Sequence, residues 1–362
     1  MHVGVVKEVK SAELRVGLTP AGVTALVHSG HRVTVEQSAG VGAGFNDDEY
    51  TLAGADLADA SMVWASSDLL VKVKEPVASE YGYLRKDQIL FTYLHLAADR
   101  PLTEVLVKAE ATAIAYETVQ TEHGLPLLAP MSEVAGRLAA QAAAQQLLHP
   151  AGGPGLLIGG SPGVAPARVV IIGGGVVGTQ AALIALGMQA EVTILDSSDR
   201  RVRQLTELFA GRARVLYSDP LSLALELQSA DVVIGAVLVP GMLAPKVIRR
   251  EHLTLMRPDV VLVDVAIDQG GCFETSRPTT YAEPTFLVDG RTHYCVANMP
   301  GAVPRTSTRA LTNATLPYLL RLASQGFEAA VAADTALKKG VNVRLGRITH
   351  PGVAGAFPEL VS

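Results

Sequence analysis

The run Arg168-Val169-Val170-Ile171-Ile172-Gly173-Gly174-Gly175-Val176-Val177-Gly178 constrains this chain more than any other segment. An apolar strand-like stretch enters Gly173-x-Gly175-x-x-Gly178, and an apolar helical pattern continues to Leu186. A second strand pattern, Glu191-Val192-Thr193-Ile194-Leu195, then closes on Asp196 about 20 residues beyond the turn, the order a dinucleotide-binding βαβ unit requires. Each glycine answers a separate demand: Gly173 allows the tight turn, Gly175 lets a pyrophosphate approach the backbone, and Gly178 lets the helix pack on the strand. The start of the helix, at Val176 and Val177, offers unpaired N–H groups and a positive dipole end to phosphates. Asp196 is placed to accept hydrogen bonds from the adenosine ribose. A glycine-rich turn alone occurs in many α/β proteins; strand, helix and acid together read as a Rossmann unit.

The rest of the chain fits a two-domain α/β enzyme. At 362 residues it exceeds one typical core, and 49% apolar against 18% charged residues suffices for two. A formal charge of -5 and a pI near 6.0 give no electrostatic reason to expect nucleic acid or an anionic membrane as a partner. Two cysteines, Cys272 and Cys295, cannot build a disulfide framework, and no signal-peptide pattern opens the chain, so a cytoplasmic location is expected. No Cys/His cluster points to a metal. The most apolar window, Val169 to Leu195, is broken by glycines and by Gln180 and Gln189, a poor membrane span.

Strand patterns at Val3 to Val6, Arg32 to Val35, Leu69 to Val73, Ile89 to Leu94 and Ala113 to Tyr116 alternate with helical ones, so a mostly parallel sheet is expected over the first 130 residues. Ser132 opens an Ala/Gln/Leu-rich helix to Leu148, where Ser132 is expected to cap, and Ala151 to Pro166 reads as a Gly/Pro-rich loop. A second sheet takes Val169 to Ile172, Glu191 to Leu195, Arg214 to Tyr217, Val232 to Val237 and Val260 to Val263, with a short strand near His293 to Ala297. Helical patterns over Ala310 to Leu322 and Gly326 to Lys339 make a tail that needs a partner surface. The expected organisation is a discontinuous substrate domain, 1–130 with 305–362, and a nucleotide domain, 131–304, both doubly wound, with an active-site cleft between them.

In open parallel sheets ligands lie beyond the carboxyl ends of the strands. Those positions carry Lys74, His95 and Glu117 in the first half and Asp196, Ser218, Leu238 and Asp268 in the second. Singly each has a plain structural explanation: a solvated lysine, a histidine bonded to backbone, a turn aspartate before Gln269-Gly270-Gly271. The local strings are more specific. Val6-Lys7-Glu8 with Glu13-x-Arg15-Val16-x-Leu18-Thr19-Pro20, then Val71-Lys72-Val73-Lys74-Glu75-Pro76, Thr92-Tyr93-Leu94-His95-Leu96-Ala97, Met131-Ser132-Glu133-Val134-Ala135-Gly136, Asp264-Val265-Ala266-Ile267-Asp268-Gln269-Gly270-Gly271 and Val296-Ala297-Asn298-Met299-Pro300-Gly301 run in order along the chain. Together they resemble the alanine dehydrogenase and pyridine-nucleotide transhydrogenase family over essentially the full length.

The resemblance implies an oxidoreductase that interconverts L-alanine with pyruvate and ammonium using NAD. By the same resemblance Arg15 and Lys74 grip the substrate carboxylate, a task suited to a guanidinium and an ammonium. His95 is the acid/base group, since the proton transfers need a side chain that titrates near neutrality. Asp268 orients ammonia or water and stabilises the cationic iminium. Met131 contacts nicotinamide and Ser132 donates to the cofactor, while Ser218, Leu238, Ile267, Asp268, Asn298 and Met299 match other cofactor-side positions. Glu117 is a supporting candidate, and a homohexamer is implied. Arg200, Arg201 and Arg203 follow Asp196 closely and could accept a 2′-phosphate, but the Asp196 carboxylate would repel it, so NAD is expected over NADP. Arg201 stays a cofactor-contact candidate. The alternatives are a transhydrogenase nucleotide-binding subunit, an opine- or saccharopine-type dehydrogenase, and a catalytically silent NAD-binding protein; retention of Arg15, Lys74 and His95 argues for the amino-acid enzyme.

Overall fold

The computed structural model describes residues 1–237 and 243–360, so the expected cofactor position Leu238 lies outside the described residues. The chain divides into two compact units, Met1–Met131 with Gly301–Ser362, and Ser132–Pro300. In chain order the strands are β1 (His2–Val5), β2 (Arg32–Glu36), β3 (Asp56–Ala58), β4 (Leu69–Val71), β5 (Ile89–Thr92), β6 (Thr112–Ala115), β7 (Arg168–Ile172), β8 (Glu191–Asp196), β9 (Arg214–Tyr217), β10 (Val232–Gly235), β11 (Val261–Asp264), β12 (Thr285–Val288), β13 (Arg291–Tyr294), β14 (Val341–Arg344) and β15 (Arg347–Ile348). No helix among the described residues is long and apolar enough to cross a membrane.

The first unit holds an eight-stranded sheet, ordered β15-β14-β6-β5-β4-β1-β2-β3. Pairing is parallel from β3 through β6, as the alternating strand and helix patterns predict. β1, β4, β5 and β6 lie between helices, and their near-continuous burial (Val3, Val5, Leu69, Leu70, Val71, Leu90 and Phe91 among them) is what a sheet covered on both faces demands. The C-terminal tail carries two strands besides its expected helices. Its helix Pro304–Ala333 is interrupted at Gly326 (φ 74°, ψ 165°), and the short helix Thr335–Gly340 leads into β14, which pairs antiparallel with β6 and with β15. β15 is two residues long and β14 follows directly on a helical pattern, so neither stands out as a strand in sequence.

The second unit holds a seven-stranded sheet in the order β12-β13-β11-β10-β7-β8-β9, parallel except for the β12–β13 hairpin. The long Ala-rich helix runs Ala129–Gln146, three residues earlier than expected at its start. Pro130 has no N–H to lose in a first turn and begins the helix there, so Ser132 lies inside it and is not its cap. Alanine dominates this helix because its face sits close to another: Ala139, Ala140 and Ala143 share a core with Ala181, Ala182 and Ala185 of the helix Val176–Gly187. A Cβ at Gly136 would lie 2.2 Å from the carbonyl oxygen of Val177, which accounts for the glycine that ends the string Met131 to Gly136.

Candidate active site

In the second unit β7 delivers the glycine turn at the carboxyl edge of the sheet. Gly173 takes φ 95°, a region closed to most side chains, and its N–H donates to the Leu195 carbonyl at 2.8 Å, tying the turn to β8. A Cβ on Gly178 would stand 1.9 Å from the Gly173 carbonyl oxygen, so only glycine lets the helix start this close to the strand. Gly175 meets nothing within 4 Å of the corresponding position, and no side chain caps the helix that it opens. The turn thus leaves open space over uncapped N–H groups at Val176 and Val177, a fit for an anionic pyrophosphate.

Asp196 ends β8 and is fastened to that turn: its carboxylate accepts from the Gly174 N–H at 2.7 Å and from the Ser198 N–H at 2.8 Å. Arg201 holds the next peptide unit of the same residue, donating through Nε to the Gly174 carbonyl at 2.6 Å and through Nη2 to the Thr179 hydroxyl at 2.7 Å. Arg203 instead pairs with Asp199 at 3.1 Å, and Arg200 is exposed. Ser218 follows β9 and its N–H donates to the Asp196 carbonyl at 2.9 Å. The turn, Asp196 and Ser218 therefore follow three neighbouring strands.

Beyond β11, Asp268 is exposed and accepts from the Asn298 N–H at 3.0 and 3.2 Å, bringing these two expected residues together. Asn298 sits in the left-handed region at φ 55°, and Met299 is buried with its carbonyl receiving the Tyr281 hydroxyl at 2.9 Å. Ile267 is buried beneath Asp268 in the same turn, Val265–Gln269. Sequence reasoning missed what shapes this turn. Asp264, 1% exposed, gathers the N–H groups of Ala266, Cys272 and Phe273 at 3.0 to 3.2 Å and the Ser276 hydroxyl at 2.6 Å. An acid inside an apolar strand pattern was the available signal.

In the first unit β4, β5 and β6 are neighbours and parallel, so Lys74, His95 and Glu117 come off three adjacent carboxyl ends. His95 adopts φ 50° and ψ 35°, a strained backbone for a non-glycine residue, costing on the order of 1 kcal/mol. Glu117 supports it by accepting from the His95 N–H at 2.6 Å and the Leu94 N–H at 3.2 Å, with the His95 Nδ1 3.9 Å from its carboxylate. The imidazole stacks at 6.1 Å on the Tyr93 ring, whose hydroxyl is buried, donates to the Leu127 carbonyl at 2.6 Å, and is pushed well up in pKa by that burial. The imidazole itself remains 45% exposed, open to a reactant.

Charged groups with almost no solvent access lie under this edge. Arg15 is 2% exposed and Glu13 grips it twice, at 2.6 Å on Nε and 2.5 Å on Nη2, while Nη1 points to the Met131 sulfur at 3.0 Å. Burial opposes the Arg15 charge, but the Glu13 hydrogen bonds and charge outweigh it and raise its pKa. Beside it, Glu8 accepts from the N–H of Val73 at 2.6 Å and of Lys74 at 3.4 Å, fixing the backbone at the lysine. Lys72, fully buried, bonds Glu80 at 2.7 Å and lies 3.6 Å from Glu8. Burial pushes the Glu8 carboxyl up against the pull of Lys72. The Lys74 ammonium makes no hydrogen bond or salt bridge with a described residue.

Comparison with known proteins completes the picture. Residues 4–135 match the family "Alanine dehydrogenase/PNT, N-terminal domain" and residues 139–351 its C-terminal domain. The chain is 55% identical over 359 residues to the alanine dehydrogenase of Halomonas elongata, covering 99% of this chain and 97% of that one. It is 54% identical over 356 residues to the alanine dehydrogenase of Mycobacterium tuberculosis, covering 98% and 96%. A solved structure of an L-alanine dehydrogenase superposes with a TM-score of 0.96 at 51% identity over 100% of both chains. A transhydrogenase from Sinorhizobium meliloti, 23% identical with a TM-score of 0.81 over 97% of this chain and 99% of that one, shares the fold. Two domain matches spanning most of the chain and identities above half over nearly its whole length leave one conclusion: this chain belongs to the alanine dehydrogenase/PNT family.

Proposed function

We propose that this oxidoreductase is an L-alanine dehydrogenase, catalysing the reversible oxidative deamination of L-alanine to pyruvate and ammonium with NAD as cofactor, in the cytoplasm and as a homohexamer. The observation that carries the reading is the set of Lys74, His95 and Glu117 at three adjacent strand ends, in a chain 55% identical to a named alanine dehydrogenase. The homohexamer and the compartment rest on family resemblance, with exposed Leu157 and Val164 on the Gly/Pro-rich loop offering apolar surface for association.

In this reading Arg15 and Lys74 bind the substrate carboxylate. Arg15 is already oriented by Glu13, so its planar donors cost little entropy to present. His95 moves protons on the carbinolamine and imine path, taking one from the attacking ammonium-derived nitrogen and returning one to the leaving hydroxyl as water departs. Glu117 positions it. Asp268 orients ammonia or water and offsets the iminium charge. Gly173, Gly175, Val176, Val177 and Gly178 would hold the NAD pyrophosphate and Asp196 the adenosine ribose. Met131, Ser132, Arg201, Ser218, Leu238, Ile267, Asn298 and Met299 are the remaining cofactor contacts. NAD, when bound, supplies the hydride acceptor or donor. Asp196 favours NAD, because its carboxylate would face a 2′-phosphate, and Arg201 is spent on Gly174 and Thr179.

Following NADH oxidation with pyruvate plus ammonium, with pyruvate alone, with pyruvate plus a second amino acid, and with another nucleotide as acceptor tests the reading. Turnover that needs both pyruvate and ammonium supports it; turnover with a nucleotide acceptor or an amino-acid partner instead overturns it.

A further inference from the structure

The first unit contains a cavity of about 270 Å³ whose lining includes none of the residues assigned above. It forms where the antiparallel seating of β14 on β6 gathers three segments: Thr118 and Gln120 after β6, Lys338 and Lys339 before β14, and Thr349 and His350 after β15. The lining therefore carries two ammonium groups, an imidazole, two hydroxyls and a carboxamide, and no carboxylate. In a chain with a net charge of -5, a wall with two ammonium groups and no lining acid is a local inversion of sign; burial lowers the His350 pKa against the pull of Glu117 behind it, so the imidazole enters as a neutral donor.

The donors are available. Lys338 and Lys339 are exposed, and neither ammonium forms a salt bridge with a described residue. The His350 Nδ1 accepts the Gly352 N–H at 3.2 Å, which leaves the ring proton on Nε2 as a donor. Thr349 donates to the Val341 carbonyl at 2.9 Å and Thr118 receives the Asn342 amide at 2.7 Å, so both hydroxyls are held in place by β14. Two lysines in the last turn of the helix Thr335–Gly340 also suit its carbonyl end, and His350 caps the helix Pro351–Ala356 through Nδ1, but neither task occupies the two ammonium groups or the His350 Nε2. Sites for drug-sized ligands start at about 300 Å³, so this space has ample room for a small anion.

We propose that this cavity binds a small dianion of the size of inorganic phosphate, held by Lys338, Lys339 and the Nε2 of His350. Calorimetric titration of the intact protein with inorganic phosphate, at an ionic strength fixed with sodium chloride, tests it. Saturable binding is expected in the wild type. Affinity should fall by about tenfold or more in the Lys338→Ala/Lys339→Ala double variant and by a smaller factor in His350→Gln, as expected when charge-assisted donors are removed. Both lysines are exposed, so the double variant should fold; a thermal midpoint within a few degrees of the wild type, measured without phosphate, checks that. No saturable binding to the wild type, or the same affinity in wild type and double variant, overturns the proposal.

Discussion

The carboxyl edges of the two sheets solve opposite problems with opposite materials. The second unit prepares its edge from backbone: glycines are required because a Cβ would strike a carbonyl at Gly178 or force a disfavoured φ at Gly173. The first unit prepares its edge from side chains, and each site group there is held through an acid: the Lys74 backbone by Glu8, the buried Arg15 by Glu13, the His95 backbone by Glu117. A backbone site tolerates only one residue type at fixed spacing and so announces itself. A side-chain site depends on partners tens of residues away, which spacing does not reveal.

This contrast can be broken by substitution, and the largest effect is expected at Lys74. Lys74→Ala should abolish turnover while leaving NADH affinity nearly intact, as a direct binding titration would show; comparable loss of both would move Lys74 out of the substrate site. Next is Glu13→Ala, which removes the carboxylate paired with the Arg15 guanidinium at 2% exposure and should lower stability by about 3–5 kcal/mol, the usual cost of breaking a buried pair. Urea denaturation measures it, and a loss under 1 kcal/mol would mean that other contacts already satisfy Arg15. His95→Ala should slow turnover by roughly 100-fold or more, the range for losing a general acid/base, and alter the pH profile. Near-normal turnover with the same profile would refute that role.

The smallest effect is expected on the backbone edge. Asp196→Ala should raise the KM for NADH and narrow the preference over NADPH by about tenfold, equivalent to about 1.4 kcal/mol. Because Asp196 also holds the Gly174 and Ser198 N–H groups, part of this loss is a loosened turn, which Arg201 limits by its bond to the Gly174 carbonyl. Asp196→Asn separates the two contributions, since the amide oxygen keeps one acceptor without the charge. A wild-type enzyme that used NADPH as well as NADH would show the arginines outweighing Asp196.

Legibility followed the same division. The glycine turn, Asp196 and the parallel strands could be read from period and spacing, because steric exclusion acts locally. Lys74, His95 and Asp268 could be placed at strand ends but received roles only from resemblance. Glu8, Glu13 and Asp264 stand within the family strings with no local pattern that assigns Glu8 or Glu13 a task, although each is a buried acid that organises nearby backbone or a charged side chain; burial is set by tertiary packing, and only Asp264, an acid in an apolar strand pattern, carries a local sign of it. The start of the long helix was misplaced for a local reason, Pro130 serving in its first turn ahead of Ser132. β14 and β15 were hidden by their brevity and by a helical tail that ran into them.

The pairing of β14 with β6 also has a consequence for the order in which the chain can be finished. Synthesis yields Ser132–Pro300 in one piece, able to close its own sheet, before the strand that covers β6 exists. At about 5–20 residues per second, the interval between Ala115 and Val341 lasts roughly 10–45 s. Throughout it Thr112–Ala115, an uncharged strand with every residue destined for burial, presents an open hydrogen-bonding edge. The later-sequenced domain is complete first, and the first-made one waits on β14.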